Sequence, residues 1–171
     1  ADYCAGVANR LKANFEQVFW NESAECLYDV VGELSADSSI RPNQVIAVSL
    51  RHNLLGPEKS RKVLEAAKKQ LLTPYGLRTL APSDPRYRAR YEGDVWSRDS
   101  AYHQGTVWPW LAGPYFVSLL RYAQRPEQAV MHAQSWLDRF SGHLQEACLG
   151  QVSEVFDGDE PHHPGGCIAQ A

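Results

Sequence analysis

The sequence predicts an all-α fold, and three features carry that expectation. Apolar residues recur at helical spacing through most of the chain. Pro42, Pro57 and Pro126 each fall where a helix would open, since a missing N–H costs nothing in a first turn. Two long irregular stretches, 73–102 and 150–166, separate the periodic runs, giving helix pairs joined by long loops.

The first helix carries Cys4, Val7, Ala8, Leu11, Phe15 and Val18 on one stripe. A connector over 22–41 follows, in which AECLYDVV reads as a short strand or hairpin arm broken by Gly32 and ADSS. RPNQVIAVSLRHNLL places Val45, Ile46, Ala47, Val48 and Leu50 on nearly every side, the pattern of a helix buried all round. Gly56-Pro57-Glu58 closes it and opens a helix whose Val63, Leu64, Ala67 and Leu71 face inward, with its lysines outward.

The stretch 73–102 is rich in Pro, Gly, Tyr and Arg, so it reads as an ordered, function-bearing loop. A helix is expected from about Thr106 to Gln124. Another opens at Arg125-Pro126-Glu127, with Ala129, Ala133, Trp136, Phe140 and Leu144 as its buried stripe. Loop 150–166 then leads to a last helix starting at GGCIAQA. The first residue is not Met and already lies in helical pattern, and the chain stops where a helix begins, so both ends read as cut from a larger protein.

At 171 residues, 44% hydrophobic and 22% charged, the chain has the make-up of one globular domain. A net charge of −3 argues against nucleic acid as partner, and no apolar run is long enough to cross a membrane. The basic run from Lys59 to Lys69 has the spacing of a solvated helix face. Cys4, Cys26, Cys148 and Cys167 form no C-x-x-C pair, which fits reduced thiols and a cytoplasmic location.

Two segments hold the candidate chemistry. RDSAYHQGTVWPW, 98–110, gathers Arg98, Asp99, Tyr102, His103, Gln104 and Trp108 around Gly105 and Pro109. Flat aromatic faces cover the C–H surface of a pyranose while amides, imidazoles and charges fix its hydroxyls; the same residues would also suit a loop capping a core. The second is SEVFDG, where Glu154 sits beside apolar neighbours that can hold a carboxylate at a fixed angle. Read alone, this segment favours a surface acid cluster over a catalytic carboxylate. A metal site from Asp157, Asp159, His162 and His163 is disfavoured, because adjacent histidines aim poorly at one ion. No motif asks for a cofactor, and none is expected.

IRPNQVIAVSLRHNLL (40–55), LLTPYGLRTLAPSDPRYRARYEGDVWSRDSAYHQGTVWPWLAGPYF (71–116) and SEVFDGDEPHHPGGCIAQA (153–171) resemble successive motifs of the glucosidase domain of glycogen debranching enzymes. ECLYDVV (25–31) is similar to a stretch that family carries upstream. The resemblance implies part of an all-α toroid of six helix hairpins, an incomplete barrel with long functional loops. Residues 1–171 would be the C-terminal portion of a single glucosidase catalytic domain, truncated at both ends.

It also implies inverting hydrolysis of α-1,6-linked glucose at the branch points of glycogen. Glu154 falls on the catalytic base, and Tyr102, His103, Gln104 and Trp108 on the glucose wall, with Arg98 and Asp99 orienting them. Asn43 and Gln44 are further candidate contacts, although RPNQ also suits helix packing and capping. Inversion needs two carboxyl groups about 6.5–9.5 Å apart. The family's acid is an Asp in a segment upstream of Ala1, so the fragment alone is expected to be inactive and to need the remainder of its own catalytic domain. Its unpartnered faces should make the isolated piece aggregate, oligomerise or pack incompletely. The competing readings are another inverting glucosidase, trehalase-like or oligosaccharide-trimming, and a helical module that holds glucan without cleaving it.

Overall fold

The computed structural model describes residues 2–52 and 54–166. Helix α1 (Asp2–Phe19) leads into two hairpins, β1 (Trp20–Asn21) with β2 (Cys26–Leu27), and β3 (Val30–Val31) with β4 (Ala36–Asp37). Helices α2 (Asn43–Ser49) and α3 (Pro57–Gln70) follow, then strands β5 (Leu72–Thr73) and β6 (Gly76–Arg78) and helix α4 (Val95–Tyr102). After β7 (Val107–Trp108) and a 3-10 turn at Pro109–Leu111 come α5 (Ala112–Tyr122) and α6 (Pro126–Ser141). A second 3-10 turn, Gly142–Gln145, precedes β8 (Val155–Phe156) and β9 (Pro164–Gly165). Strands β5 to β9 form one antiparallel sheet in sequence order.

The fold is therefore mixed α/β, and the expectation of an all-α piece of a helical toroid is corrected. Each strand of the larger sheet is two or three residues long, too short for an alternating pattern to stand out from a loop. Most of the sheet comes from the two stretches that the sequence marks as irregular, and its middle strand β7 from the start of the expected helix over 106–124. Loop 73–102 holds part of a hairpin and all of α4, whose Asp94 side chain caps it by accepting from Ser97 N–H at 2.8 Å. The expected helix over 106–124 starts only at Ala112. Before it, Val107 and Trp108 pair with β6, and Pro109 opens the 3-10 turn.

Helix α2 is also shorter than expected, and Leu50 leaves it in an extended conformation, exposed. Gln44, Val45 and Val48 form its buried side, so it is packed on one face rather than all round. The AECLYDVV stretch contributes to both hairpins. Periodicity locates α3 and α6, although Leu144 of the stripe expected for α6 falls in the 3-10 turn after it. Val63, Leu64, Ala67 and Leu71 are buried, as are Ala129 and Trp136, while Ala133, Phe140 and Leu144 are half-buried. The expected last helix lies mostly beyond the described residues.

The core gathers Val45 and Val48 of α2, Val63, Leu64 and Ala67 of α3, Leu77 of β6, Ala112 and Tyr115 of α5, and Trp136 of α6. Burying each large side chain contributes about 1.5–3 kcal/mol. A smaller aromatic cluster ties the last loop to this body. Phe156 stacks on Tyr75 at 4.5 Å and meets the edge of His143 at 4.6 Å. Trp136 donates its indole N–H to the Thr73 carbonyl at 2.8 Å, fixing α6 against the sheet. Helix α1 differs: none of its residues is fully buried, and Val7, Leu11 and Val18 of its apolar stripe are exposed.

Candidate active site

The site is assembled by the centre of the five-stranded sheet. Strand β7 lies between β6 and β8, with Leu77 opposite Trp108, Arg78 opposite Val107, and Val107 opposite Phe156. This pairing brings the turn 102–106 beside the loop that carries Glu154. Gly105 forms the turn at φ +143, and a side chain there would run into the Arg88 carbonyl and the Tyr87 ring. Its N–H donates to Thr79 Oγ at 2.9 Å, and its neighbour Gln104 accepts from Arg88 N–H at 2.6 Å.

Three rings pack on this turn. Tyr102 meets Trp108 at 4.7 Å and His103 at 4.9 Å, both edge-on, and His103 stacks on Trp108 at 5.4 Å. The Trp108 indole N–H donates to the Tyr102 carbonyl at 3.1 Å, so its orientation is fixed by the turn. The phenol of Tyr102 donates to Glu154 Oε1. Burial and the adjacent Glu154 carboxylate push this phenol up to about 12, so it remains a donor at neutral pH.

The acid loop is clamped along its length. Ser153 N–H donates to His143 Nε2 at 3.1 Å. Asp157 is buried, bridges to Arg90 at 3.0 Å and accepts from Tyr91 N–H at 2.7 Å. Tyr87 donates to Asp159 at 2.8 Å, and Arg78 donates to the Gly158 carbonyl at 2.7 Å. His162 and His163 are turned to the Asp157 carbonyl and carboxylate at 2.8 and 3.3 Å. Gly166, at φ +71, lies against Glu154: a Cβ there would stand 2.7 Å from Glu154 Cβ and 2.8 Å from Oε2.

Beside the ring cluster an open hollow of about 560 Å³ is lined by Asp29, Arg41, Asn43, His103, Gln104 and Trp108, with Trp110 among the other walls. Of the residues singled out in the sequence, four thus share one hollow, and Tyr102 joins that wall to Glu154. Glu154 itself is not among the lining residues. Gln44 is buried, donating to the Arg41 carbonyl at 3.2 Å and accepting from Leu27 N–H at 3.4 Å, which ties β2 to the start of α2. Arg98 donates to the Gly93 carbonyl at 2.7 Å within the α4 region, and Asp99 is exposed on that helix; neither lines the hollow.

Sequence reasoning missed Arg41 and Asp29. Arg41 Nη1 donates to the carbonyls of Thr79 and His103 at 3.1 and 2.7 Å, and Nη2 to Gln104 Oε1 at 2.8 Å. Its Nε lies 3.6 Å from Asp29 Oδ2, and Asn43 Nδ2 donates to Asp29 Oδ1 at 2.8 Å. The signal available was an Arg within the IRPNQ motif, which also reads as a helix start.

A family model described as amylo-alpha-1,6-glucosidase matches residues 2–171. The glycogen debranching enzyme of Saccharomyces cerevisiae is 34% identical over 133 residues, covering 63% of this chain and 9% of that protein. The chain therefore spans only a small part of the curated relative it matches. On the match along its length, this chain belongs to the amylo-alpha-1,6-glucosidase family.

Proposed function

We propose that this chain is the C-terminal portion of a glucosidase catalytic domain that hydrolyses α-1,6-linked glucose at branch points of glycogen with inversion. Glu154 is the general base that activates the attacking water. His103, Gln104, Trp108 and Asn43 contact the sugar, and Tyr102 contacts both the sugar and the base. Gln44, Arg98 and Asp99 act as supports around that set. The observation that carries this reading is the pairing of β7 with β8, which brings Tyr102 onto Glu154 and so joins the aromatic wall to a carboxylate.

The partner acid that inversion requires comes from a segment outside these 171 residues. Nearby carboxylates are already engaged, Asp157 by Arg90 and Asp159 by Tyr87, which supports that reading. On its own the chain is then catalytically incompetent, and its partner is the rest of its own domain. The exposed Val117, Leu120, Val130, Met131 and Leu137 on α5 and α6 suit such a partner. The cytoplasm fits the free thiols Cys4, Cys26 and Cys148, and no described helix is long and apolar enough to cross a membrane.

Glu154 standing outside the hollow favours one competing reading, a module that holds glucan without cleaving it. Assaying Glu154→Gln in the full-length protein on limit dextrin separates the two. The enzyme reading expects turnover to fall by about a thousandfold or more with modest change in binding. Near-normal turnover removes Glu154 from its role. A wild-type protein that retains glucan without turnover leaves the holding module standing.

A further inference from the structure

We propose that the Asp29–Arg41 ion pair sets the hydrogen-bonding polarity of the hollow so that it reads a vicinal diol, one hydroxyl as acceptor and its neighbour as donor. This rests on the reading of the hollow as a glucose site. A guanidinium has no acceptor, so Gln104 must turn its carbonyl Oε1 towards Arg41 Nη2, at 2.8 Å. Its Nε2 is then the group left over, and it only donates. A carboxylate has no donor, so Asn43 must turn its Nδ2 towards Asp29 Oδ1, also at 2.8 Å. Its Oδ1 is left over, and it only accepts.

Neither Gln104 Nε2 nor Asn43 Oδ1 has a hydrogen-bond partner among the described residues. Both residues line the same hollow, as does Trp108. An isolated amide can flip end for end and present either polarity; these two are held by the opposite charges of one pair. The side chains of Arg41 and Asp29 are 14% and 9% exposed, so the ion pair itself is largely shielded although the Asn43 bond to Asp29 is open to solvent. Arg41 also holds the His103 and Thr79 carbonyls, and Asp29 N–H donates to the Asp37 carbonyl at 2.8 Å, which fixes where the pair sits.

One donor and one acceptor in a shared hollow complement two adjacent hydroxyls. The first offers its oxygen to Gln104, and the second gives its proton to Asn43. Arg41 and Asp29 are positioning residues in this scheme, while Gln104 and Asn43 touch the sugar. Lysine at position 41 would keep the charge but lose the fork that reaches three acceptors at once.

The test is a calorimetric titration of the full-length protein with D-glucose and with each of its monodeoxy analogues. The wild type should bind two analogues, those lacking a particular adjacent pair of hydroxyls, at least about tenfold more weakly than glucose. Gln104→Leu should erase the penalty for one of the two and Asn43→Leu the penalty for the other. Arg41→Lys should shrink the first penalty and Asp29→Asn the second, with Gln104 and Asn43 still in place; a general loosening of the site would not divide them in this way. Equal penalties at every ring position, or a pair of penalties indifferent to both Arg41→Lys and Asp29→Asn, would overturn the proposal while leaving the glucose site intact. Failure of the wild type to bind glucose at all would overturn the site and the polarity scheme together.

Discussion

Helix α1 and the sheet around β7 are opposite kinds of structure. Helix α1 has 18 residues and an apolar stripe plain in the sequence, yet none of its residues is fully buried. Strand β7 has two residues and no readable pattern, yet Val107 is fully buried and the turn before it is tied to four other segments. Helical periodicity reports that a segment can form an amphipathic helix, not that a partner is there to cover it. Order at the candidate site comes instead from hydrogen bonds and ring contacts between loops distant in sequence.

That contrast can be broken most severely at Phe156. It is fully buried against Tyr75 and His143, so Phe156→Ala should cost about 3–5 kcal/mol. Leu11 of α1, half-exposed, should cost within about 0.5 kcal/mol when cut to Ala. Denaturation of the 171-residue chain checks both, and equal losses would dissolve the distinction. A second pair uses glycines. Gly166→Ala forces a side chain into the left-handed region and against Glu154, with an expected cost of about 1–3 kcal/mol. Gly6→Ala, in α1 with open space around it, should gain about 0.5–1 kcal/mol from helix propensity. Melting temperatures that shift in the same direction would sink this expectation.

The alkaline limb of stability sharpens the comparison further. Tyr87, Tyr102 and Tyr115 are each pushed up to about 12, burial being the first cause in all three, whereas an unfolded tyrosine ionises near about 10. A raised value means that the folded state holds these protons longer. Their contribution is complete below about pH 10 and is lost as pH climbs through about 12. Phenolate absorbance should therefore rise late for these three buried or half-buried tyrosines. Replacing Tyr87 by Phe should remove one late step; an unchanged late amplitude would contradict the assignment.

What the sequence disclosed follows the same division. Val63, Leu64, Ala67 and Leu71 could be placed inside because four apolar residues at helical spacing define a face before any partner is known. The strands could not be found this way, since two residues cannot show a period. The nearness of Tyr102 to Glu154 was carried by family resemblance, because a contact spanning 52 positions depends on a sheet that local pattern does not reveal. Arg41 and Asp29 escaped notice because each is unremarkable alone; their meaning lies in the acceptors and donors that folding gathers around them.

The join between β7 and β8 rests on a single opposed pair, Val107 with Phe156, and Glu154 sits two positions before Phe156. Along an extended chain each residue advances about 3.3 Å, several times the misplacement a reacting geometry tolerates. Those two positions act as a ruler. One residue inserted between Glu154 and Phe156 would carry the carboxylate out of reach of its tyrosine.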